Sequence, residues 1–244
     1  MRNLKLTLSY DGTLFHGWQT QPSARTVQDT LQDTASLVLK EPIKVTGCSR
    51  TDAGVHAKRY VCNFFTNCSI DAARVPIALN TRLPADVRVA HCEEVDASFH
   101  ARISAKSKTY RYVVNNSGQY DVFLRNFHWY FPKRLDIPSM QRAAAHFVGT
   151  HDFAACMAAG SEVAGTVRTV HFLNLAYQDG WLEIFINADG YLYNMVRIMV
   201  GTLIGVGTGR FAPDDIKGIL ASGNRKNAGM TAPPQGLSLW QVYY

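Results

Sequence analysis

The dipeptide Asp179-Gly180 is the feature that most constrains the fold, because it is a strong turn signal between two alternating apolar segments. Residues 167–177 and 181–187 flank it, so the sequence predicts a β-hairpin there. Other strands are predicted at 4–10, 44–46, 60–66, 87–95, 109–115, 127–131 and 237–244. Helices are predicted at 26–38 with Thr26 as the cap, 71–80 after Asp71, 139–148 with Pro138 at its start, 193–206, and near Pro213.

Each half of the chain therefore mixes strands with two or more helices. This order of strands and helices predicts an α+β protein of two domains joined by a polar, basic link near residues 100–106. We place the domains at 1–103 and 104–244. A length of 244 residues is enough for two such domains with sizeable cores.

Composition narrows the functional classes. The net charge of +6 permits a polyanionic partner, and no stretch approaches the roughly 18 unbroken apolar residues of a membrane helix. The N-terminus alternates like a strand and lacks a signal-peptide pattern, which favours a cytoplasmic protein without a membrane partner. Five scattered cysteines without a CxxC pair favour buried thiols over a disulfide framework or a metal site, and nothing in the sequence implies a cofactor.

The segment GCSRTDAGVHA, residues 47–57, places one carboxylate in a turn beside a cation and a hydroxyl. An aspartate two residues before a glycine is often only a turn former. Here Arg50 and Thr51 precede Asp52, and Gly54 lets a ligand approach the backbone closely. Glycosidases need two carboxylates, so a single one indicates a covalent nucleophile or a general base.

The segment SFHARISAKSKTYRYVV, residues 98–114, combines cations with aromatic rings. Tyr110 and Tyr112 alternate on a predicted strand and so share one face. Basic side chains beside tyrosines suit phosphate contacts and base stacking, whereas the plainer interpretation is a solvated linker followed by core tyrosines. The cations are Arg102, Lys106, Lys108 and Arg111.

A predicted apolar helix near residues 193–206 carries a single cation, Arg197. A buried guanidinium needs a carboxylate or phosphate partner, and Asp52 is our first choice; a structural ion pair is the alternative. Gly201 and Gly205 leave one helix face bare, so that another backbone can lie against it. The glycine run at 205–209 lacks the spacing of a phosphate loop and predicts the end of the helix instead.

Together these segments resemble the tRNA pseudouridine synthases of the TruA family. The resemblance rests on six motifs in the family's order, and RTDAGVHA is the most specific of them. The motifs are YDGTLFHGWQTQPSARTVQDTL (10–31), SRTDAGVHA (49–57), FHARISAKSKTYRYVV (99–114), GTHDFAA (149–155), YLYNMVRIMVGTLIGVGTGR (191–210) and the closing APPQGLSLWQVYY. Two departures stand out: Ser49 replaces a glycine, and Lys58 and Arg59 replace a common glycine and glutamine.

The resemblance implies that Asp52 is the catalytic aspartate, Tyr110 the ring stacked on the target base, and Arg197 the charged partner of Asp52. It implies two RRM-like α/β domains whose antiparallel sheets meet around a basic central cleft. It also implies an isomerase that works as a homodimer without a cofactor and converts uridine to pseudouridine in the tRNA anticodon stem-loop, around positions 38–40.

We further expect nine residues to contact RNA. They are Arg50, Thr51, His56, Lys58, Arg59, Arg102, Lys106, Lys108 and Arg111. Two alternatives remain from the residues alone: a non-catalytic tRNA-binding or tRNA-folding module, which has no use for an Asp52–Arg197 pair, and a hydrolase, which would release free uracil or sugar.

Overall fold

A computed structural model describes residues 1–160 and 163–244 of the chain. The chain is a mixed α/β protein that divides into two compact units. The first unit contains Met1–Lys106 together with Ser238–Tyr244, and the second contains Ser107–Leu237. Within the described residues, no helix is long and apolar enough to span a membrane.

The described residues form ten strands and five α-helices. The strands are β1 (Arg2–Tyr10), β2 (Thr46–Gly47), β3 (His56–Thr66), β4 (Val87–Val95), β5 (Ser107–Asn115), β6 (Trp129–Tyr130), β7 (Gly149–Asp152), β8 (Val167–Gln178), β9 (Trp181–Ala188) and β10 (Leu237–Tyr243). The helices are α1 (Val27–Leu39), α2 (Val75–Asn80), α3 (Ile137–Ala145), α4 (Met195–Gly207) and α5 (Asp215–Ser222).

The first unit is built on a sheet with the strand order β4-β1-β3-β10, and β2 pairs with β3 at its side. Strand β1 runs antiparallel to both β3 and β4. Its burial alternates, with Leu4, Leu6, Leu8 and Tyr10 inside, as a half-buried strand requires. Helix α1 begins at the predicted cap, because the hydroxyl of Thr26 accepts a hydrogen bond from the amide of Asp29 at 3.2 Å.

The second unit is built on a sheet with the strand order β5-β9-β8-β7, whose neighbours are all antiparallel, and β6 pairs with β5. The predicted hairpin is confirmed as β8 and β9. Asp179 and Gly180 at its tip both have positive φ angles, 49° and 79°, which is the geometry of a type I′ turn. Helix α4 is buried at twelve of its thirteen positions, which explains why its sequence is apolar all round.

Several predicted elements have different bounds in the structure, as the following four show. The strand expected at 127–131 is only Trp129–Tyr130, because the amide of Phe127 closes a turn onto the carbonyl of Leu124 instead of joining a ladder. The strand expected at 44–46 is Thr46–Gly47. The helix expected at 71–80 is a 3-10 turn, Ala72–Arg74, followed by α2. Helix α3 begins earlier than expected, because the carboxylate of Asp136 caps it.

The last strand is grouped differently from our sequence-based domains. We placed residues 104–244 together, whereas Ser238–Tyr244 belongs to the first unit, where β10 pairs in parallel with β3 through Ser238–His56 and Leu239–Ala57. Parallel pairing between strands this distant in sequence has no local signal. That each unit is a separately folding domain stays a prediction.

Candidate active site

Asp52 lies in the loop between β2 and β3 of the first unit and is half-buried. Its main-chain carbonyl accepts a hydrogen bond from the amide of Val55 at 3.1 Å, which closes a turn. Gly54 within this turn has a φ of +77°, a conformation that favours glycine. The turn that the sequence indicated is therefore present, and it holds the carboxylate residue at its start.

A second segment, residues 10–18, fixes this loop from the side. The hydroxyls of Tyr10 and Thr51 form a buried hydrogen bond at 2.8 Å. The amide of Trp18 donates to the carbonyl of Thr51 at 3.1 Å, and the amide of Gly54 donates to the carbonyl of Phe15 at 3.3 Å. The loop is thus anchored immediately before and after Asp52, although it contains no regular secondary structure.

Two glycines allow these segments to lie so close together. A Cβ atom on Gly12 would lie 2.0 Å from the carbonyl oxygen of Val55. One on Gly17, where φ is +86°, would lie 2.6 Å from the carbonyl oxygen of Thr51. Both glycines belong to the motif at 10–31, but the sequence alone did not predict this role. The signal available was the pair of glycines in DGTLFHG, the first five residues before the second.

An aromatic cluster supports the start of the loop. The rings of Trp18 and Tyr60 stack with centroids 4.0 Å apart, and Tyr10 packs against Tyr60 at 5.6 Å. Burial raises the pKa of Tyr60 well above its usual value, so its hydroxyl stays protonated and donates to the carbonyl of Ser49. Because this contact uses the main chain of Ser49, it does not require a particular side chain at that position.

His56 holds the end of the loop. Its side chain is only 5% exposed. Its Nδ1 lies 3.0 Å from the amide nitrogen of Gly12 and 3.1 Å from Oδ1 of Asp11. The amide of Gly12 can only donate a hydrogen bond, so Nδ1 is the acceptor in that contact. With Nδ1 as an acceptor, its proximity to the Asp11 carboxylate is not a hydrogen bond. These contacts hold the His56 ring against residues 11 and 12, and its contact with RNA stays a prediction.

Among the nine residues predicted to contact RNA, the positively charged side chains that are exposed all lie in the first unit. Arg59 points its guanidinium toward β10 and donates to Oε1 of Gln241 at 3.0 Å. The exposed members of the set are Arg50, Lys58, Arg59, Arg102 and Lys106. Their exposure is what contacts with phosphate groups require.

Tyr110 lies on β5 of the second unit and is 5% exposed. Its ring meets Tyr191 edge to face, with centroids 4.9 Å apart. Burial raises the pKa of Tyr191, whose hydroxyl donates toward the carbonyl oxygens of Lys108 and Ile186, each 2.8 Å away. These contacts hold Tyr191 against β5 and β9, next to the Tyr110 ring. The stacking role of the Tyr110 ring stays a prediction.

Two predicted RNA contacts on β5 are held inside the second unit. Lys108 is 7% exposed. The guanidinium of Arg111 forms an ion pair with Glu183 on the neighbouring strand, where its Nε donates to Oε2 at 3.1 Å. Such a two-pronged contact occupies the Nε donor and an Nη2 donor of the guanidinium and balances its charge. Both side chains therefore fit a structural role better than the exposed cations of the first unit do.

Arg197 is half-buried in the first turn of α4. Its Nε donates to the carbonyl of Ala232 at 2.7 Å, and its Nη1 donates to Oδ1 of Asn194 at 2.7 Å. The amide of Ala232 donates in return to the carbonyl of Arg197 at 3.0 Å. The guanidinium is therefore aimed by two neutral oxygens that sequence reasoning missed, and its pairing with Asp52 stays a prediction.

The bare face of α4 receives another backbone, as expected. A Cβ atom on Gly201 would lie 1.8 Å from the carbonyl oxygen of Met230, in the segment that also carries Ala232. At Gly205 the neighbour is instead the Phe211 ring, 2.7 Å from the added atom. The helix ends at Gly207, which confirms that the glycine run terminates a helix.

Comparisons with known proteins identify the family of the chain. A sequence profile described as tRNA pseudouridine synthase matches residues 7–103 and 143–244. The chain is 48% identical over 244 residues to tRNA pseudouridine synthase A of Acetivibrio thermocellus, covering 100% of both chains. It is 46% identical over 243 residues to tRNA pseudouridine synthase A of Bacillus subtilis, covering 99% of this chain and 98% of that one. The chain belongs to the tRNA pseudouridine synthase family.

A solved structure titled "Crystal Structure of a Cbf5-Nop10-Gar1 Complex" is similar over 96% of this chain and 57% of that chain, at 12% identity and a TM-score of 0.39.

Proposed function

We propose that this chain, an isomerase of the tRNA pseudouridine synthase family, converts uridine to pseudouridine in the tRNA anticodon stem-loop, around positions 38–40, with Asp52 as the catalytic group and no cofactor. The reaction breaks the bond between N1 of uracil and C1′ of ribose, turns the base, and forms a bond between C5 and C1′. The proton on C5 leaves and N1 gains one, so nothing is oxidised or hydrolysed.

The observation that carries this proposal is the anchoring of the Asp52 loop. Hydrogen bonds to residues 10–18 fix the chain on both sides of Asp52, while Asp52 itself keeps partial exposure. A carboxylate held in this way is positioned before the substrate arrives, which removes an orientational cost from the reaction. It can add to the sugar or base as a nucleophile, or remove a proton from the sugar.

The target uridine has to leave its stack to reach a carboxylate in such a loop. We assign Tyr110 to hold the extruded base by stacking and Arg197 to orient the Asp52 carboxylate. The two neutral contacts of Arg197, to Ala232 and Asn194, support the second assignment because they fix two sides of the guanidinium. Tyr110 is nearly buried, so base stacking requires that its ring become accessible when RNA binds.

Exposed cations of the first unit, with Lys58 and Arg59 prominent among them, would hold the phosphates of the stem-loop. We also interpret each unit as an RRM-like domain, because each has a sheet of four main strands with helices alongside. The basic cleft, the homodimer and the cytoplasmic location expected from the resemblance stay predictions.

The test is a pseudouridine map of tRNA from cells that lack the gene, before and after the gene is restored. We expect the modification around positions 38–40 to disappear and then return, with other pseudouridines unchanged. Loss at other positions alone would contradict the assigned site on tRNA. An unchanged map, in cells with no second copy of such an enzyme, would contradict the activity itself.

A further inference from the structure

The connection between β9 and α4 contains a residue in the left-handed region of backbone space, Asn194, with a φ of 59° and a ψ of 10°. Two main-chain hydrogen bonds stabilise this turn. The amide of Met195 donates to the carbonyl of Leu192 at 3.0 Å, and the amide of Ile198 donates to the carbonyl of Asn194 at 3.0 Å. Residues other than glycine keep such a conformation where the surrounding structure requires it, and they concentrate at functional sites.

The side chain of Asn194 does not cap the helix that it precedes. Among the described residues, no hydrogen bond joins this side chain to the first amides of α4, although asparagine is one of the preferred capping residues. Its Oδ1 instead accepts a hydrogen bond from Nη1 of Arg197 at 2.7 Å. The side chain therefore serves the guanidinium rather than the end of the helix.

A second segment, residues 229–233, contacts the guanidinium through a different nitrogen. The carbonyl of Ala232 accepts from Nε of Arg197 at 2.7 Å, and the amide of Ala232 donates to the carbonyl of Arg197 at 3.0 Å. Contacts at Nε and Nη1 together restrict rotation of the planar group, because a planar fork held at two atoms has one orientation.

Both ends of the 229–233 segment are held in the second unit. The amide of Gly229 donates to Oγ1 of Thr202 at 2.9 Å. The carbonyl of Pro233 accepts from the hydroxyl of Tyr112 at 2.8 Å. Burial raises the pKa of Tyr112, so this hydroxyl stays protonated and keeps donating. The main-chain acceptor for Arg197 is thus fixed before any substrate binds.

The charge of the Asn194 side chain matters for the role that we assign to Arg197. A carboxylate at this position would keep the hydrogen bond, but it would also pair with the positive charge. Two carboxylates would then compete for one guanidinium. The amide oxygen orients the guanidinium without bringing a negative charge, so the attraction to the carboxylate of Asp52 is not weakened.

We propose that Asn194 is a positioning residue for the isomerisation: its amide oxygen orients Arg197, and its neutrality preserves the attraction between Arg197 and Asp52. This inference rests on the roles given to those two residues in the proposed function. Position 194 then has to combine a left-handed backbone, an acceptor oxygen and no charge. Asparagine provides all three, whereas glycine lacks the oxygen and aspartate lacks the neutrality.

Asn194→Asp separates positioning from a merely structural role. Aspartate tolerates the left-handed region, keeps Oδ1 and is favoured near a helix N-terminus, so the denaturation midpoint should equal or exceed the natural one. Single-turnover pseudouridine formation at saturating protein should nevertheless fall about tenfold, because the new carboxylate competes for Arg197. A structural role predicts the opposite, a rate that follows stability.

Asn224→Asp is the matched control for the added charge. Asn224 lies in the same unit, and its Oδ1 accepts from the amide of Lys226 at 3.0 Å at the start of a 3-10 turn. Aspartate can keep that contact, so this variant should form pseudouridine at the natural rate. Equal rates for Asn194→Asp and Asn224→Asp would overturn the proposal.

Asn194→Gly removes the acceptor oxygen without adding charge. Glycine adopts the left-handed conformation freely, so the turn before α4 should persist. We expect a rate about tenfold below the natural one and a tRNA affinity within about twofold of it. A folded glycine variant with the natural rate would overturn the proposal, and so would a loss of affinity without a loss of rate.

Arg197→Lys, measured on the same tRNA, distinguishes failure of this inference from failure of the proposed function. A slow lysine variant beside Asn194 variants at the natural rate would overturn this inference alone. A lysine variant at the natural rate would overturn the roles of both residues. A natural protein that forms no pseudouridine would contradict the proposed function itself and this inference with it.

Discussion

The loop that carries Asp52 and the helix that carries Arg197 reach a fixed geometry by different means. The loop has no regular structure and is anchored by neutral hydrogen bonds to a neighbouring segment. The helix is buried on nearly all sides and aims its one cation with a carbonyl and an amide oxygen. Both depend on glycines that let a backbone carbonyl lie where a Cβ would be, at Gly12 and Gly17 in one and Gly201 in the other.

The two regions should therefore differ in how strongly a single substitution destabilises them. The loop is held by several contacts of moderate strength, so the loss of a single hydroxyl should lower the free energy of unfolding only modestly. The helix is close-packed against one carbonyl, so one added methyl group should lower the free energy of unfolding by more.

The largest effect on stability is expected from Gly201→Ala. The new Cβ would lie 1.8 Å from a main-chain oxygen, which cannot rotate away, so we expect a loss of about 3 kcal/mol in the free energy of unfolding. Chemical denaturation measures it. Gly218→Ala is the matched control, because Gly218 is exposed in α5 with open space around it, and alanine there should stabilise by about 0.5–1 kcal/mol. Equal responses of the two helices would contradict the close packing at Gly201.

Arg197→Lys should reduce single-turnover pseudouridine formation by about a hundredfold while leaving tRNA binding nearly unchanged. An ammonium group has no planar fork and cannot keep both contacts while pointing at a carboxylate. Rapid-quench kinetics and tRNA binding measure the two quantities. A Lys variant with full activity would show that the helix does not orient the catalytic group.

Tyr10→Phe tests the loop, and we expect a smaller loss of about 1–2 kcal/mol in the free energy of unfolding. The change leaves the buried hydroxyl of Thr51 without the partner at 2.8 Å. Thr51→Val alone and together with Tyr10→Phe completes a double-mutant cycle. Additive losses would mean that this hydrogen bond contributes nothing to holding the loop.

The smallest effect is expected from Lys58→Ala, which should lower tRNA affinity only a few-fold at moderate salt. Because Lys58 is exposed, its loss should reduce the slope of log affinity against log salt by about one. Arg111→Ala is the contrast, since its guanidinium is paired with Glu183, and it should leave the slope unchanged. A lower slope for Arg111→Ala together with an unchanged slope for Lys58→Ala would indicate that the phosphate contacts lie in the second unit.

The sequence predicted those parts of the fold whose signals are local. The type I′ hairpin followed from Asp179-Gly180, and the start of α1 followed from its Thr26 cap. The close approach at Gly201 followed from the bare helix face. The catalytic roles were inferred from the sequence context of Asp52 and Arg197 and from the motif resemblance, and they stay predictions.

What the sequence did not predict arises from contacts between distant residues. The parallel pairing of β10 with β3 and the anchoring of Thr51 by Tyr10 join segments far apart in the chain. The same holds for Arg197 and Ala232, and for Arg111 and Glu183. Such contacts depend on tertiary packing, which leaves no periodic or spacing signal in the sequence.

The most direct test of the central claim compares Asp52→Asn with the natural protein in two measurements on one tRNA, namely binding affinity and single-turnover pseudouridine formation. Asp179→Asn is the control, because it changes an aspartate in a hairpin turn where asparagine tolerates the positive φ. We predict that Asp52→Asn binds tRNA within about threefold of the natural protein but forms pseudouridine at least about 1,000-fold more slowly. A variant that still forms pseudouridine at the natural rate would contradict the account.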